Sequence, residues 1–129
     1  MAKQIRPHLM FDGSAEEAMK LYVSLISNSE ILETNKYDSG ENKGELYLGR
    51  FTLGGREFLC IDSPIKHEFG FTPAVSIHID CETSTELERL FVTLSEDGEI
   101  LMPLDNYGFS TKFGWLSDRF GVSWQLDLR

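Results

Sequence analysis

Two short stretches of this 129-residue chain carry apolar residues at helical spacing. In the first, Ala18, Leu21, Tyr22 and Leu25 line one face, and in the second Leu87, Leu90, Phe91 and Leu94 do the same. Each stretch follows a hydroxyl residue with Glu three places on, Ser14-x-x-Glu17 and Thr83-x-x-Glu86. In that spacing, hydroxyl and carboxylate satisfy free backbone N–H groups at a helix start. A strand-like run ending in Asp precedes each helix: His8-Leu9-Met10-Phe11-Asp12 and Ser76-Ile77-His78-Ile79-Asp80. Further β-prone segments follow, near 30–37, 45–53 and 57–62 in the first half and 99–103, 112–117 and 122–128 in the second. Gly54-Gly55 predicts a hairpin turn between two of them.

The halves repeat one another. Shifted by 69 positions, residues 14–32 fall on 83–101, and Glu17, Leu21, Val23, Leu25, Glu30, Ile31 and Leu32 land on identical residues. The first strands match at an offset of 68, so one residue is gained or lost in the turn between strand and helix. Each half therefore reads β-α-β-β-β, and Ser63 to Thr72, broken by Pro64 and Gly70, joins them.

Strand side chains alternate between faces, so parity assigns what faces the helix and what faces away. The helix-covered set is expected to be Pro7, Leu9 and Phe11 with Leu59 and Ile61, then Val75, Ile77 and Ile79 with Trp124, Leu126 and Leu128. The opposite set is then Arg6, His8 and Met10 with Phe58, Cys60 and Asp62, then Ala74, Ser76 and His78 with Ser123, Gln125 and Asp127. Were two such sheets to curl around one another, this mixed polar and apolar set would line a cavity suited to a small ligand.

Two modules that each open on strand, Asp and capped helix resemble the vicinal oxygen chelate fold of glyoxalase I, extradiol dioxygenases and bleomycin- or fosfomycin-resistance proteins. More narrowly, Pro7-His8-Leu9-Met10-Phe11-Asp12-Gly13-Ser14-Ala15-Glu16-Glu17-Ala18 resembles the opening of the PhnB-like group, whose members often carry the name 3-demethylubiquinone-9 3-methyltransferase. So do Met102-Pro103 and Phe113-Gly114-Trp115-Leu116-x-Asp118-Arg119-Phe120-Gly121-Val122-x-Trp124-x-Leu126. The resemblance implies an α+β fold with two βαβββ modules in tandem, a curved mixed sheet around a cavity and the helices outside. It makes 1–129 one domain, with module one at about 1–63, a linker at about 64–72 and module two at about 73–129. It also implies a homodimer.

In metal-dependent members of that superfamily, ligands sit near the start of each module's first strand and on its last strand, and are usually His, Gln or Glu. Carried over, those places fall near Arg6 or Pro7, Cys60, Ala74 and Gln125. Arg does not coordinate, and Pro and Ala have no donor side chain, so a metal cofactor is not expected. An alternative is a displaced divalent-metal site from His8, His78, Cys60 and Asp62; the other reading has each His hydrogen-bonding within a polar cavity.

Charge narrows the partners. Twenty-one acidic against twelve basic residues give a net charge of −9 with no Lys/Arg cluster, so neither nucleic acid nor an anionic membrane is expected to bind. No apolar run approaches the ~20 residues of a membrane helix. The first residues show no secretory apolar region, and Cys60 and Cys81 lack CxxC spacing, which together read as a cytoplasmic protein with reduced thiols.

The expected ligand-binding set is His8, Met10, Phe58, Cys60, Ser76, His78, Tyr107, Phe109, Trp115 and Gln125, and the partner is a small molecule. Cys60 beside a His would form a thiolate–imidazole pair, or else be inert packing. Asp62 and Asp127 at equivalent strand ends would form an acid–base pair only were burial to raise one of them. The methyltransferase name finds no glycine-rich strand-to-helix turn of the kind that cradles a nucleotide cofactor. Three readings compete: a binding module with a metal-free cavity, a metal-dependent isomerase, lyase or dioxygenase, and a non-catalytic assembly protein.

Overall fold

The β-prone segments pair into two four-stranded mixed sheets, each carrying one helix, in a computed structural model that describes residues 2–129. Residues up to Glu68 form one unit and residues from Phe69 the other. The first contains β1 (His8–Phe11), α1 (Ala15–Leu25), β2 (Glu30–Lys36), β3 (Leu46–Leu53) and β4 (Arg56–Asp62), in sheet order β1-β4-β3-β2. The second contains β5 (Ser76–Asp80), α2 (Ser84–Ser95), β6 (Glu99–Asp105), β7 (Lys112–Ser117) and β8 (Ser123–Leu128), in order β5-β8-β7-β6. In each unit the first strand pairs parallel with the last, and the remaining pairs are antiparallel.

The repeat extends to backbone detail. Asn28 (φ 55°) and Asp97 (φ 58°) sit in the left-handed region shortly after each helix, at the offset the sequence repeat has there. Both are residue types that tolerate that conformation. Gly54 (φ 58°) and Gly55 (φ 85°) make the turn between β3 and β4, as two consecutive positive φ values require.

Helix α2 buries Leu87, Leu90, Phe91 and Leu94, the stripe expected of it. Four such side chains contribute roughly 6–12 kcal/mol of gross burial, against about 1 kcal/mol for an N-cap, so packing rather than capping holds this helix. Helix α1 buries Ala15, Ala18, Met19 and Tyr22, leaving Leu21 and Leu25 only half-buried. The buried stripe has rolled by about a sixth of a turn. Its seat is a gap in the sheet: a Cβ on Gly49 would come within 3.1 Å of Met19 Sδ and 2.8 Å of Cys60 Sγ.

The caps differ as well. Thr83 Oγ1 accepts from Glu86 N at 3.1 Å, and the Glu86 carboxylate accepts from Glu82 N at 3.0 Å. Ser14 makes no side-chain cap bond. Asp62 replaces it from 47 residues away: Oδ1 accepts from Gly13 N at 2.8 Å and Ala15 N at 2.9 Å, and Oδ2 accepts from Leu46 N at 3.0 Å. One carboxylate thus ties together the start of α1, the start of β3 and the end of β4.

The run from Phe113 to Leu126 is also explained by folding. Asp118 Oδ1 accepts from Phe120 N (2.8 Å) and Val122 N (3.0 Å), Oδ2 accepts from the Trp124 indole (2.9 Å), and Gly121 takes φ 90°. Asp118, Gly121 and Trp124 therefore build the turn between β7 and β8.

Candidate functional site

Register decides which side chains share a face. In the first unit Leu9 pairs with Cys60 and Phe11 with Asp62, whereas His8 pairs with Leu59 and Met10 with Ile61. Phe58, Cys60 and Asp62 therefore lie on the helix-covered side, which corrects their expected place beside His8 and Met10. Phe58 stacks on Phe51 at 5.4 Å, and Cys60 Sγ lies 3.9 Å from Met19 Sδ. Burial, then the Asp62 charge, pushes the Cys60 thiol up to about 12. A thiolate–imidazole pair with His8 is ruled out because the two side chains project from opposite faces.

The uncovered face of this sheet carries His8, Met10, Leu59 and Ile61 together with a chain of ion pairs. Arg6 bonds Glu57; Arg50 bonds Glu57 at 2.9 Å and Glu33 at 2.8 Å; and Asn35 bonds Glu33. The Arg6 hydrogen bond holds Glu57 below the usual carboxylate range against its partial desolvation, and Arg50 does the same for Glu33.

In the second unit the expected faces hold along the strands, although Val75, just before β5, is exposed rather than helix-covered. Trp124 and Leu126 are fully buried, while Ser76, His78, Ser123 and Gln125 share the face away from the helix, with Ser123 itself buried there. Here the polar groups bond one another: Ser76 Oγ and Ser123 Oγ are 2.7 Å apart, the Trp115 indole donates to Ser123 Oγ at 2.8 Å, and the Gln125 amide donates to Ser76 Oγ at 3.4 Å. Phe113, which pairs with Asp127 in register, is met edge-on by Phe109 at 5.0 Å and Tyr107 at 6.2 Å. Tyr107 and Phe109 stack on each other and remain exposed, and the Tyr107 hydroxyl donates to the Pro103 carbonyl at 2.6 Å.

At the far end of β5 and β8, His78, Asp80 and Asp127 converge, each offering a donor atom within 4.8 Å of the others. Asp127 is 2% exposed. Its Oδ2 accepts from Arg129 Nε at 3.0 Å and its Oδ1 has no hydrogen bond of ordinary geometry. Burial favours the neutral acid, but Ser110 and Arg129 outweigh it and hold Asp127 below the usual range. Asp127 is thus a carboxylate rather than a proton donor. Its expected acid–base partner, Asp62, is engaged in capping α1. Asp80 was not singled out in the sequence, although the alternation His78-x-Asp80 already puts it on the face of His78. His67 bonds Ser63 Oγ at 3.0 Å, and Lys112 bonds Glu88 at 2.9 Å.

A model of the 3-demethylubiquinone-9 3-methyltransferase family matches residues 3–127. The chain belongs to this PhnB-like family. A PhnB protein from Bacillus cereus is 50% identical, with 98% of this chain and 100% of that one covered and a TM-score of 0.95. Protein PA1353 from Pseudomonas aeruginosa is 27% identical over 99% and 98% of the two chains, with a TM-score of 0.83. The fosfomycin resistance protein FosX from Listeria monocytogenes, in a complex with Mn(II) and 1S,2S-dihydroxypropylphosphonic acid, shares the fold at 11% identity and a TM-score of 0.65, over 98% and 93% of the chains. The PhnB-like chain therefore has the glyoxalase/bleomycin-resistance fold. No curated protein matches it.

The ligand places implied by that fold do not suit a metal in this PhnB-like chain. Arg6 is paired with Glu57, Ala74 has no donor, and the last-strand residues on the uncovered face of the first sheet are Leu59 and Ile61 rather than Cys60. The displaced set of His8, His78, Cys60 and Asp62 loses Cys60 and Asp62 to the helix-covered side. The strand-to-helix turns, Asp12-Gly13-Ser14 and Cys81-Glu82-Thr83, contain one glycine between them and give no phosphate-cradling loop. Among the described residues, no helix is long and apolar enough to cross a membrane.

Proposed function

We propose that this PhnB-like protein binds a small, partly aromatic organic molecule on the uncovered face of its second sheet. One observation carries the reading: a strip of mutually bonded polar groups, Ser76, Ser123, Gln125 and the Trp115 indole, lies on the same face as Phe113 and its exposed partners Tyr107 and Phe109. Polar groups set orientation while aromatic faces supply contact area, the usual division of labour in a ligand site. His78 belongs to this face, and His8 and Met10 belong to the uncovered face of the first sheet. The homodimer implied by the resemblance is part of the proposal, and sedimentation of the purified chain checks it.

The test is a fragment screen by saturation-transfer NMR on the full chain, using planar heteroaromatic carboxylates and amides. Hits are expected to lose at least tenfold in affinity in Trp115→Phe and Gln125→Ala, with circular dichroism unchanged. Fragments that bind both variants as well as the parent would overturn the assignment.

A further inference from the structure

We propose that His78, Asp80 and Asp127 form a binding site for a divalent transition-metal cation at the end of β5 and β8, with Arg129 as its internal competitor. The site uses neither Ala74 nor Gln125, where the resemblance marks ligand places, and it does not depend on the organic ligand proposed above.

The argument begins with the strands. His78 and Asp80 are two apart on β5 and share a face, and the parallel register sets Asp80 beside Asp127 on β8. Their donor atoms then lie within 4.8 Å of one another. Donors around a metal at ~2.1 Å stand roughly 3.4 Å apart in a tetrahedron, so a closure of up to about 1.4 Å between the widest pair brings three donors to bonding distance and leaves a fourth position to water. His78 and Asp80 are exposed and free to make that movement. Neither carboxylate hydrogen-bonds the imidazole: His78 Nδ1 to Asp80 Oδ1 and Nε2 to Asp127 Oδ2 are both 3.8 Å.

A second observation is independent of this spacing. Asp127 Oδ1 is buried without a hydrogen bond of ordinary geometry, although Ser110 acts on the carboxylate, in a side chain that is 2% exposed. Native structures rarely leave a carboxylate oxygen in that condition, and a bound water or ion is its ordinary explanation. An open depression of about 420 Å³, lined by His78, Asp80, Cys81 and Arg129, exposes two of the three side chains to solvent. One imidazole with two carboxylates suits Zn²⁺, Co²⁺ or Ni²⁺ better than Mg²⁺, which favours an all-oxygen shell. Arg129 Nε now occupies Asp127 Oδ2 at 3.0 Å, so the cation and the guanidinium contend for one carboxylate.

That contest gives the test an arm that a merely sticky acidic surface would not produce. Zinc chloride is titrated calorimetrically into the full chain at pH 7.5 and 0.15 M NaCl, beside His78→Ala, Asp80→Asn and Arg129→Ala. One Zn²⁺ per chain is expected, bound at least tenfold more weakly by His78→Ala and Asp80→Asn and severalfold more tightly by Arg129→Ala. Millimolar Mg²⁺ is expected not to displace it. Both weakened variants alter exposed side chains, and circular dichroism confirms that they fold. Equal affinity across all four proteins, loss of Zn²⁺ in His8→Ala or His67→Ala instead, or no binding to the parent would each overturn the proposal. A failed fragment screen leaves it untouched.

Discussion

Removing the Asp62 carboxylate should destabilise the first unit far more than its place at a strand end suggests. The side chain is 1% exposed and accepts three backbone N–H groups, from Gly13, Ala15 and Leu46. A hydrogen bond to a charged acceptor contributes ~1.5–3 kcal/mol, and neighbouring terms do not simply add, because a relaxed loop readmits water. Asp62→Ala is therefore expected to cost about 3–5 kcal/mol, a large part of the ~5–15 kcal/mol that holds an ordinary domain. Asp62→Asn keeps an oxygen for Gly13 and Ala15 but turns its amide toward the Leu46 N–H, and should cost ~1–3 kcal/mol. Ser14→Ala should stay within ~0.5 kcal/mol, because that hydroxyl caps nothing. Urea unfolding followed by far-ultraviolet circular dichroism is the assay, since Trp115 and Trp124 both lie in the second unit and tryptophan emission reports only there. A cost below about 1 kcal/mol for Asp62→Ala, or a larger cost for Ser14→Ala, would refute the reasoning.

Two further outcomes follow from the environments of single groups. Burial raises Cys60 from 9.0 to about 12 and Cys81 to about 11, so neither thiol should react with a disulfide reagent at pH 8 in the folded protein, and both should react in urea. Since the folded values are the higher ones, the associated stability is present below pH 9 and declines as pH rises toward 11–12. Rapid native labelling of either thiol would contradict this. Glu33 and Glu57 are shifted the other way, below 4.5, by Arg50 and Arg6, so their contribution is present above that value and disappears as pH falls through the lowered ones. Arg50→Ala should accordingly cost more at pH 7 than at pH 3 in urea titrations, and an equal cost at both would refute the electrostatic account.

What depends on near neighbours in the chain was legible in the order of the amino acids. The α2 stripe, the Thr83 cap, the Gly54-Gly55 hairpin and the strand limits all express preferences within a few residues, and they carried the repeat and the family. What lay beyond it was register. Counting strand parity within each half pairs Cys60 with Gln125, but the parallel ladders pair Leu9 with Cys60 and Ile77 with Trp124. Cys60 is thus equivalent to Trp124, and a slip of one residue sends every side chain of a strand to the other face. Three candidates, Phe58, Cys60 and Asp62, left the uncovered face for that reason, while Ser76, His78 and Gln125 kept it. The Asp62 cap on α1 and the meeting of His78 and Asp80 with Asp127 both need contacts across more than forty residues. Only the folded sheet decides such contacts, because they depend on how strands dock and not on what adjoins them in the chain.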